Sequence, residues 1–372
     1  MKRLWAAAFM ALAALAHAEP GVTADKLVLG MSTPLTGPLA HYGAELRRGV
    51  KLGLDQVNSA GGIAGRRIEL LVRDDAGVPE RAVANTRELL AAGVLAMTGY
   101  HGAASIEAVL PLLDEAGAPL IGAASSAELL REPMRKRVFN LRAGAREETA
   151  AMVLQLDTVG LIEIAAIVQE DALGRAGLEG IQLELNRLAL RLASLARLSV
   201  AANTAAVAQA VQTVCKQRPQ ALMLALDASN ALSVIRQARR IGCVPQFYVM
   251  SEAGAQLLAG AAAPGELSGV IVSQVVPHPS TSSVPLVVDY QRLLAGAAPP
   301  SYPGLEGFVY SRVIAEALRR CGREPGRRCL VTGLEGKALD AGGYRVQFTP
   351  GDRRGSRFVE MTIVTPDGRF RR

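Results

Sequence analysis

Nine apolar runs, spaced along the chain and separated by stretches of helical period, limit what this chain can fold into more than any other feature. They read KLVLGM, RIELLVRD, GVLAMTG, APLIGA, VFNLR, IEIAAIVQ, QALMLAL, QFYVM and GVIVSQ. Between them lie amphipathic patterns such as Leu46, Val50, Leu54 and Val57, or Ala231, Ile235 and Ala238. Continuous apolar strands alternating with helices indicate parallel sheets covered on both faces, so the expected class is α/β. At 372 residues the chain exceeds what one core comfortably covers, and two domains are expected, with a break after Arg142. No low-complexity linker separates the halves, which points to ordered crossovers between them.

In open α/β sheets, ligands sit beyond the carboxyl ends of the strands. The loops to inspect are therefore residues 32–43, 99–105, 122–127, 142–147, 170–174, 227–230 and 251–254, with the stretch after Gln274. The first holds PLTGPLAHYGAEL, whose prolines and glycines fix turns around Tyr42, a ring and hydroxyl with no nucleophile beside it.

Catalytic signatures are missing where they would be expected. The first strand–helix turn reads GMSTPLTGPLAHYG and lacks a dinucleotide fingerprint, GGIAGRR precedes a strand, and no phosphate-binding G-x-x-x-x-G-K-[ST] occurs. Ser125 and Ser126 in GAASSAEL lack the far glycine of a hydrolase elbow. His41 and His101 fall in the inspected loops, but no acid is placed by sequence to orient either ring, which favours ring recognition of a ligand, or a plain surface histidine, over catalysis. Asp74-Asp75 reads as a structural turn. No CxxC occurs, so neither zinc nor any other cofactor is expected.

The first eighteen residues, MKRLWAAAFMALAALAHA, have the basic start, apolar stretch and small-residue end of a secretory signal peptide cleaved after Ala18. Export implies an oxidising compartment, where Cys321 and Cys329 bracket a turn-rich GREPGRR segment and Cys215 and Cys243 remain to pair. Losing Lys2 and Arg3 takes the formal charge from +7 to +5, and with aromatics at 4% the scattered arginines suggest a solvated basic surface, not a nucleic-acid face.

The loops together carry a resemblance. MSTPLTGPLAHYGAELRRGVKLGLDQVNSAGGIAGRRIELLVRDDAGVPERAVANTRELL, followed by EDALGRAGLEG, GVIVSQVVPHP, PSYPGLEGFVYSRV and GSRFVEMTIVTPDGRF, resembles the leucine/isoleucine/valine-binding protein family, the periplasmic substrate-binding proteins of ABC importers. The resemblance implies two Rossmann-like lobes joined by a three-crossover hinge. It places an N-terminal lobe at residues 25–143 and 275–345 and a C-terminal lobe at residues 144–274 and 346–372.

It further implies a monomer that captures a small-molecule solute, a carboxylate or amino acid, and hands it to an ABC permease in the inner membrane. A sensory subunit using the same fold without transport is the alternative. Carried over by position, Tyr42 matches a pocket aromatic, Ala103 replaces a ligand-binding serine, and Ser126 matches a carboxylate-binding threonine with Ala124 offering backbone. His101 joins them by loop position. Ala145 stands where relatives that bind α-amino acids have an aspartate for the ammonium; Glu252 or Asp171 could substitute. Leu173 replaces an aromatic ring. The missing aspartate makes a non-amino carboxylate at least as good an expectation as a branched-chain amino acid.

Overall fold

The computed structural model describes residues 19–254, 262–263 and 265–372. The expected signal peptide, residues 1–18, lies outside the described residues. Two sheets carry the fold. The first contains β1 (Lys26–Thr33), β2 (Arg67–Asp74), β3 (Ala96–His101), β4 (Leu120–Ala124) and β5 (Val138–Phe139), all parallel, in the order β2-β1-β3-β4-β5. Helices α1 (Ala40–Ser59), α2 (Pro79–Ala91) and α3 (Ala103–Ala116) connect its strands.

The second sheet holds β6 (Ile164–Gln169), β7 (Leu192–Leu198), β8 (Ala221–Ala225), β9 (Gln246–Val249) and β10 (Ile271–Gln274). These are parallel, interleaved with α4 (Ala145–Thr158), α5 (Ala172–Arg187), α6 (Thr204–Cys215) and α7 (Ala228–Arg240). Every residue of β3, β4, β6 and β8 is buried, as central strands with helices on both faces require. Two features depart from the expectation of nine parallel strands. Strand β7, LASLARL, was hidden in a leucine-rich stretch because it lies at the sheet edge and is only half buried. At the other edge, β13 (Glu360–Val364) and β14 (Phe370–Arg371) add antiparallel to β10, beyond a small ladder of β11 (Leu339–Asp340) and β12 (Arg345–Val346).

Side chains cap the helices that begin at the strand ends. Asp171 accepts from the Gly174 N–H at 2.9 Å, Asp227 from Asn230 at 2.8 Å, and Ser301 from Gly304 at 3.1 Å at the head of the helix after α8 (Pro285–Leu294). That helix, α9 (Tyr302–Arg320), lies along α1 and reaches β3 and β4; α10 (Arg327–Leu334) packs on it. Disulfides join Cys215 to Cys243 and Cys321 to Cys329.

The chain passes between the two sheets three times: after Phe139, after Gln274, and between Val346 and Glu360. These segments run side by side, with Asn140 N–H donating to Arg353 O at 3.0 Å and Gly355 N–H to Asn140 O at 2.8 Å. Tyr344 pins all three. Its hydroxyl lies 3.3 Å from Leu141 O, 3.1 Å from Val275 O and 2.8 Å from Ser356 Oγ, in a fully buried position. Tyr344→Phe is expected to cost about 1–2 kcal/mol, because it leaves these buried acceptors short of a donor. Urea melts of the two proteins check this; equal midpoints would mean the hydroxyl is not holding the crossovers.

Candidate functional site

The carboxyl ends of the two sheets meet, and side chains from both fill the space between. From the first sheet, the first turn of α1, which follows β1, brings Tyr42, the end of β3 brings His101, and the turn after β4 brings Ser125 and Ser126. The second sheet contributes Ser251 and Glu252 after β9, and Ser273 within β10. The loop before Tyr42 is fastened by Asp74, which accepts from Leu35 N–H at 2.8 Å, the Thr36 hydroxyl at 2.6 Å and Ala76 N–H at 2.8 Å. Burial pushes the Asp74 carboxyl up, but these bonds outweigh it and hold it at about 2. Their contribution is therefore present in full above the ordinary carboxylate range and is lost progressively as pH falls from there through about 2. Asp75 accepts from the Ser32 hydroxyl and Gly77 N–H, so the pair is the structural turn its sequence suggested.

Arg142, 1% exposed, crosses the cleft. On the first-sheet side its Nη1 donates toward the Tyr42 hydroxyl and Glu306 Oε1, both at 3.4 Å. Toward the second sheet its Nη2 donates to Ser251 Oγ at 2.5 Å and lies 3.7 Å from Glu148 Oε1. Glu306 also accepts from the Tyr42 hydroxyl at 3.0 Å and the Tyr310 hydroxyl at 2.5 Å. Glu148 accepts from Ser251 N–H at 2.8 Å, the Ser251 hydroxyl at 2.7 Å and the Ser273 hydroxyl at 2.5 Å. Burial disfavours the Arg142 charge, yet Glu306, Tyr42 and Glu148 outweigh that and hold the guanidinium firmly protonated. At Glu148 burial prevails over Arg142 and the serines, and its carboxyl is shifted up.

Beside this network, Ser126 offers its N–H and hydroxyl, and Ser125 its hydroxyl, to one carboxylate. The carboxylate is the chain's own: Glu252 Oε2 lies 2.9 Å from Ser126 N and 2.5 Å from Ser126 Oγ, and Oε1 lies 3.1 Å from Ser125 Oγ. The cradle is braced from behind. Ala145 N–H donates to Ser126 O at 2.9 Å, and the buried Arg131 guanidinium donates to Ala127 O at 3.0 Å, Arg142 O at 3.1 Å and Ser125 O at 3.3 Å. His101 packs against Tyr42 with ring centroids 4.3 Å apart and the rings tilted by 51°. Burial holds its imidazole below the ordinary value against the opposing pull of Glu252, so the ring is neutral at pH 7, and neither ring nitrogen has a hydrogen-bond partner among the described residues.

Tyr42, His101, Ser126 and Glu252 thus come together as one cluster. Ser126 is a donor into the cleft and does not cap the short helical turn that follows, whose cap position is Ala127. Ala103 opens α3 and is partly exposed; Ala124 ends β4 with its carbonyl already bound to Gly102 N–H at 3.3 Å, which leaves less backbone to offer than the sequence suggested. Leu173 is buried in the apolar cluster beneath α5, with Met152 and Ile181. Of the two proposed substitutes for the missing aspartate, Asp171 has its carboxylate on the α5 cap and on the Gln169 amide at 2.7 Å, whereas Glu252 has its carboxylate in the cleft on Ser125 and Ser126. Sequence reasoning missed Arg131, Arg142, Glu148, Ser251 and Glu306 as site residues.

Between Tyr42, Arg142, Ser251, Gln274, Tyr302 and Glu306 a space of about 10 Å³ remains, about what one water needs. Anything larger than a water would have to move these side chains to occupy it. A roomier groove of about 980 Å³ lies between α1 and the edge strand β2, and its lining includes the first residues of β1 and β2 and none of the cleft residues named above. Among the described residues, no group of three or more His, Cys, Asp or Glu is placed to hold a metal, and no helix is long and apolar enough to cross a membrane.

Two α/β sheets that face each other strand end to strand end, over a cleft of hydrogen-bonding groups at a triple crossover, define a two-lobed solute-binding protein. The particular family follows from sequence: residues 26–369 match the family described as periplasmic binding protein, and the chain belongs to it. It is similar to a substrate-binding periplasmic protein from Ralstonia solanacearum at 31% identity, covering 92% of this chain and 98% of that one with a TM-score of 0.82. An extracellular ligand-binding receptor from Verminephrobacter eiseniae is 25% identical over 93% of this chain and 99% of that chain, with a TM-score of 0.85. The leucine-, isoleucine-, valine-, threonine- and alanine-binding protein of Pseudomonas aeruginosa is 29% identical over 131 residues, 35% of each chain. Its relatives are substrate-binding proteins and not enzymes.

Proposed function

We propose that this protein is the capture component of an ABC importer, exported with cleavage after Ala18, that takes a small carboxylate-bearing solute between its lobes by hinge closure. The lobes are residues 25–143 with 275–345, and 144–274 with 346–372. Tyr42, His101, Ser126 and Glu252 line the site, and an inner-membrane permease receives the solute. One observation supports this most: the turn after β4 already holds a carboxylate, with two hydroxyls and one N–H directed at it. Donors arranged for a protein carboxylate suit the same group on a solute. The Pseudomonas aeruginosa relative is named for five amino acids, each of which carries that group.

Leucine, its 2-oxo acid and benzoate separate the solute classes in a thermal-shift comparison of the mature protein. Calorimetry then measures affinity, since Trp5, the only tryptophan, leaves with the signal peptide. A bound solute at a hundredfold excess over its Kd stabilises by about 2.7 kcal/mol, which reads as a rise of several degrees. Ser126→Ala should abolish that rise. If no carboxylate stabilises the protein and a solute without one does, the reading fails.

A further inference from the structure

The contact between Glu252 and the cradle joins groups from different sheets. Ser125 and Ser126 follow β4, Glu252 follows β9, and the carboxylate reaches across to accept three hydrogen bonds. Such an arrangement exists only while the strand ends are together. It also places in the cradle the group that a carboxylate solute would bring. We propose that Glu252 is an internal competitor: its carboxylate holds the lobes closed by filling the Ser125–Ser126 cradle, and a solute binds by displacing it. This rests on the reading of the cradle as a carboxylate site.

Two further observations fit a residue with two positions. His101, 5% exposed and facing the same cleft, has both ring nitrogens without a partner among the described residues, so Glu252 in its present position leaves a buried polar ring of the cleft unpaired. Glu252 itself sits on a short turn, Ser251–Ala253, followed by Gly254, and not within a strand or long helix that would fix its side chain. Competition has a quantitative consequence. The apparent Kd of a solute carboxylate rises as the fraction of molecules with a free cradle falls, so Glu252 lowers affinity for every solute that uses Ser126 and sets which ones bind at all.

The test measures closure directly. Spin labels at Glu115→Cys on α3 and Glu179→Cys on α5, both exposed, report the distance between lobes by pulsed electron resonance; the native cysteines are held in disulfides and leave no competing thiol among the described residues. Protein stripped of solute by unfolding and refolding is compared as the parent, Glu252→Ala and Ser126→Ala. The expected result is a short-distance population in the parent that falls by about tenfold relative to the long one in both variants, as charge-assisted bonds are lost. An unchanged distance distribution in Glu252→Ala, with Ser126→Ala also unchanged, overturns the proposal. Acetate, a bare carboxylate, then separates the two readings. Added at tens of millimolar, it should restore the short distance in Glu252→Ala but not in Glu252→Ala combined with Ser126→Ala. Opening on Glu252→Ala without recovery in acetate would uphold Glu252 as the latch while removing the cradle as a solute-carboxylate site.

Discussion

Arg142→Met is expected to lower stability by about 3–5 kcal/mol near neutral pH, because it strands two buried acids. Arg142 is 1% exposed and Glu148 and Glu306 are buried around it, so the methionine leaves their charges without the cation placed between them. Against a total of roughly 5–15 kcal/mol for a folded protein, such a loss threatens folding itself. The deficit should depend on pH with a definite sign. Both acids ionise in the unfolded chain above about pH 4.3, but in the variant they pay burial in the folded state. The deficit therefore grows as pH rises above that value and shrinks below it. The parent carries a mild form of the same effect: the Glu148 carboxyl is already shifted up by burial, so its contribution is full below the ordinary glutamate range and declines as pH rises through the shifted value.

Urea melts of parent and variant near pH 5 and pH 7.5 check both points. Adding Glu148→Gln and Glu306→Gln to Arg142→Met should recover much of the loss, since a neutral network of similar shape removes the stranded charge. Equal stability of parent and Arg142→Met at the higher pH would mean that the strut across the cleft is not an ion pair of consequence.

How much of this was written in the sequence follows from what each residue has to do locally. Strands such as IEIAAIVQ were legible because burial on both faces demands a continuous apolar run, and the loops at their ends followed from the topology of open sheets. Tyr42, His101, Ser126 and Glu252 were singled out because they fall in the stretches at those strand ends, and the structure brings them together at the cleft. Arg142 stood in an inspected loop too, but a lone arginine between VFNL and AGARE has no local sign that it is buried, and its partners are distant in the chain: Glu306 by 164 residues and Ser251 by 109. Glu148 and Glu306 lie on helices, where an acid normally marks the solvent face. Here both point inward because three crossovers bring those helices over the cleft, a fact that no window of sequence carries. The edge strand β7 escaped for the opposite reason, since half burial erased the apolar run that marks a central strand.

Gly49→Ala and Gly307→Ala are each expected to destabilise the protein although both residues lie within helices, where alanine is normally favoured by about 1 kcal/mol. At Gly49 an added Cβ would stand 1.8 Å from Gly304 O and 2.9 Å from Phe308 N; at Gly307 it would stand 2.1 Å from Leu46 O and 2.9 Å from Val50 N. These neighbours are backbone atoms of the facing helix, which cannot rotate aside as a side chain would. Helices α1 and α9 must separate, and overpacking of this kind costs about 1–3 kcal/mol or more. The movement reaches the cleft. Tyr42 rides on α1 and Glu306 on α9, next to Gly307, and they meet at 3.0 Å through the Tyr42 hydroxyl. Separation of the helices should therefore weaken that bond and Arg142's hold on Glu306, so that a stabilising solute raises the melting temperature less in the variants than in the parent. Thermal melts with and without the best solute measure both effects. Variants as stable as the parent would show that helix propensity outweighs the crossing, and that the close approach of α1 and α9 is not what sets the geometry of the site.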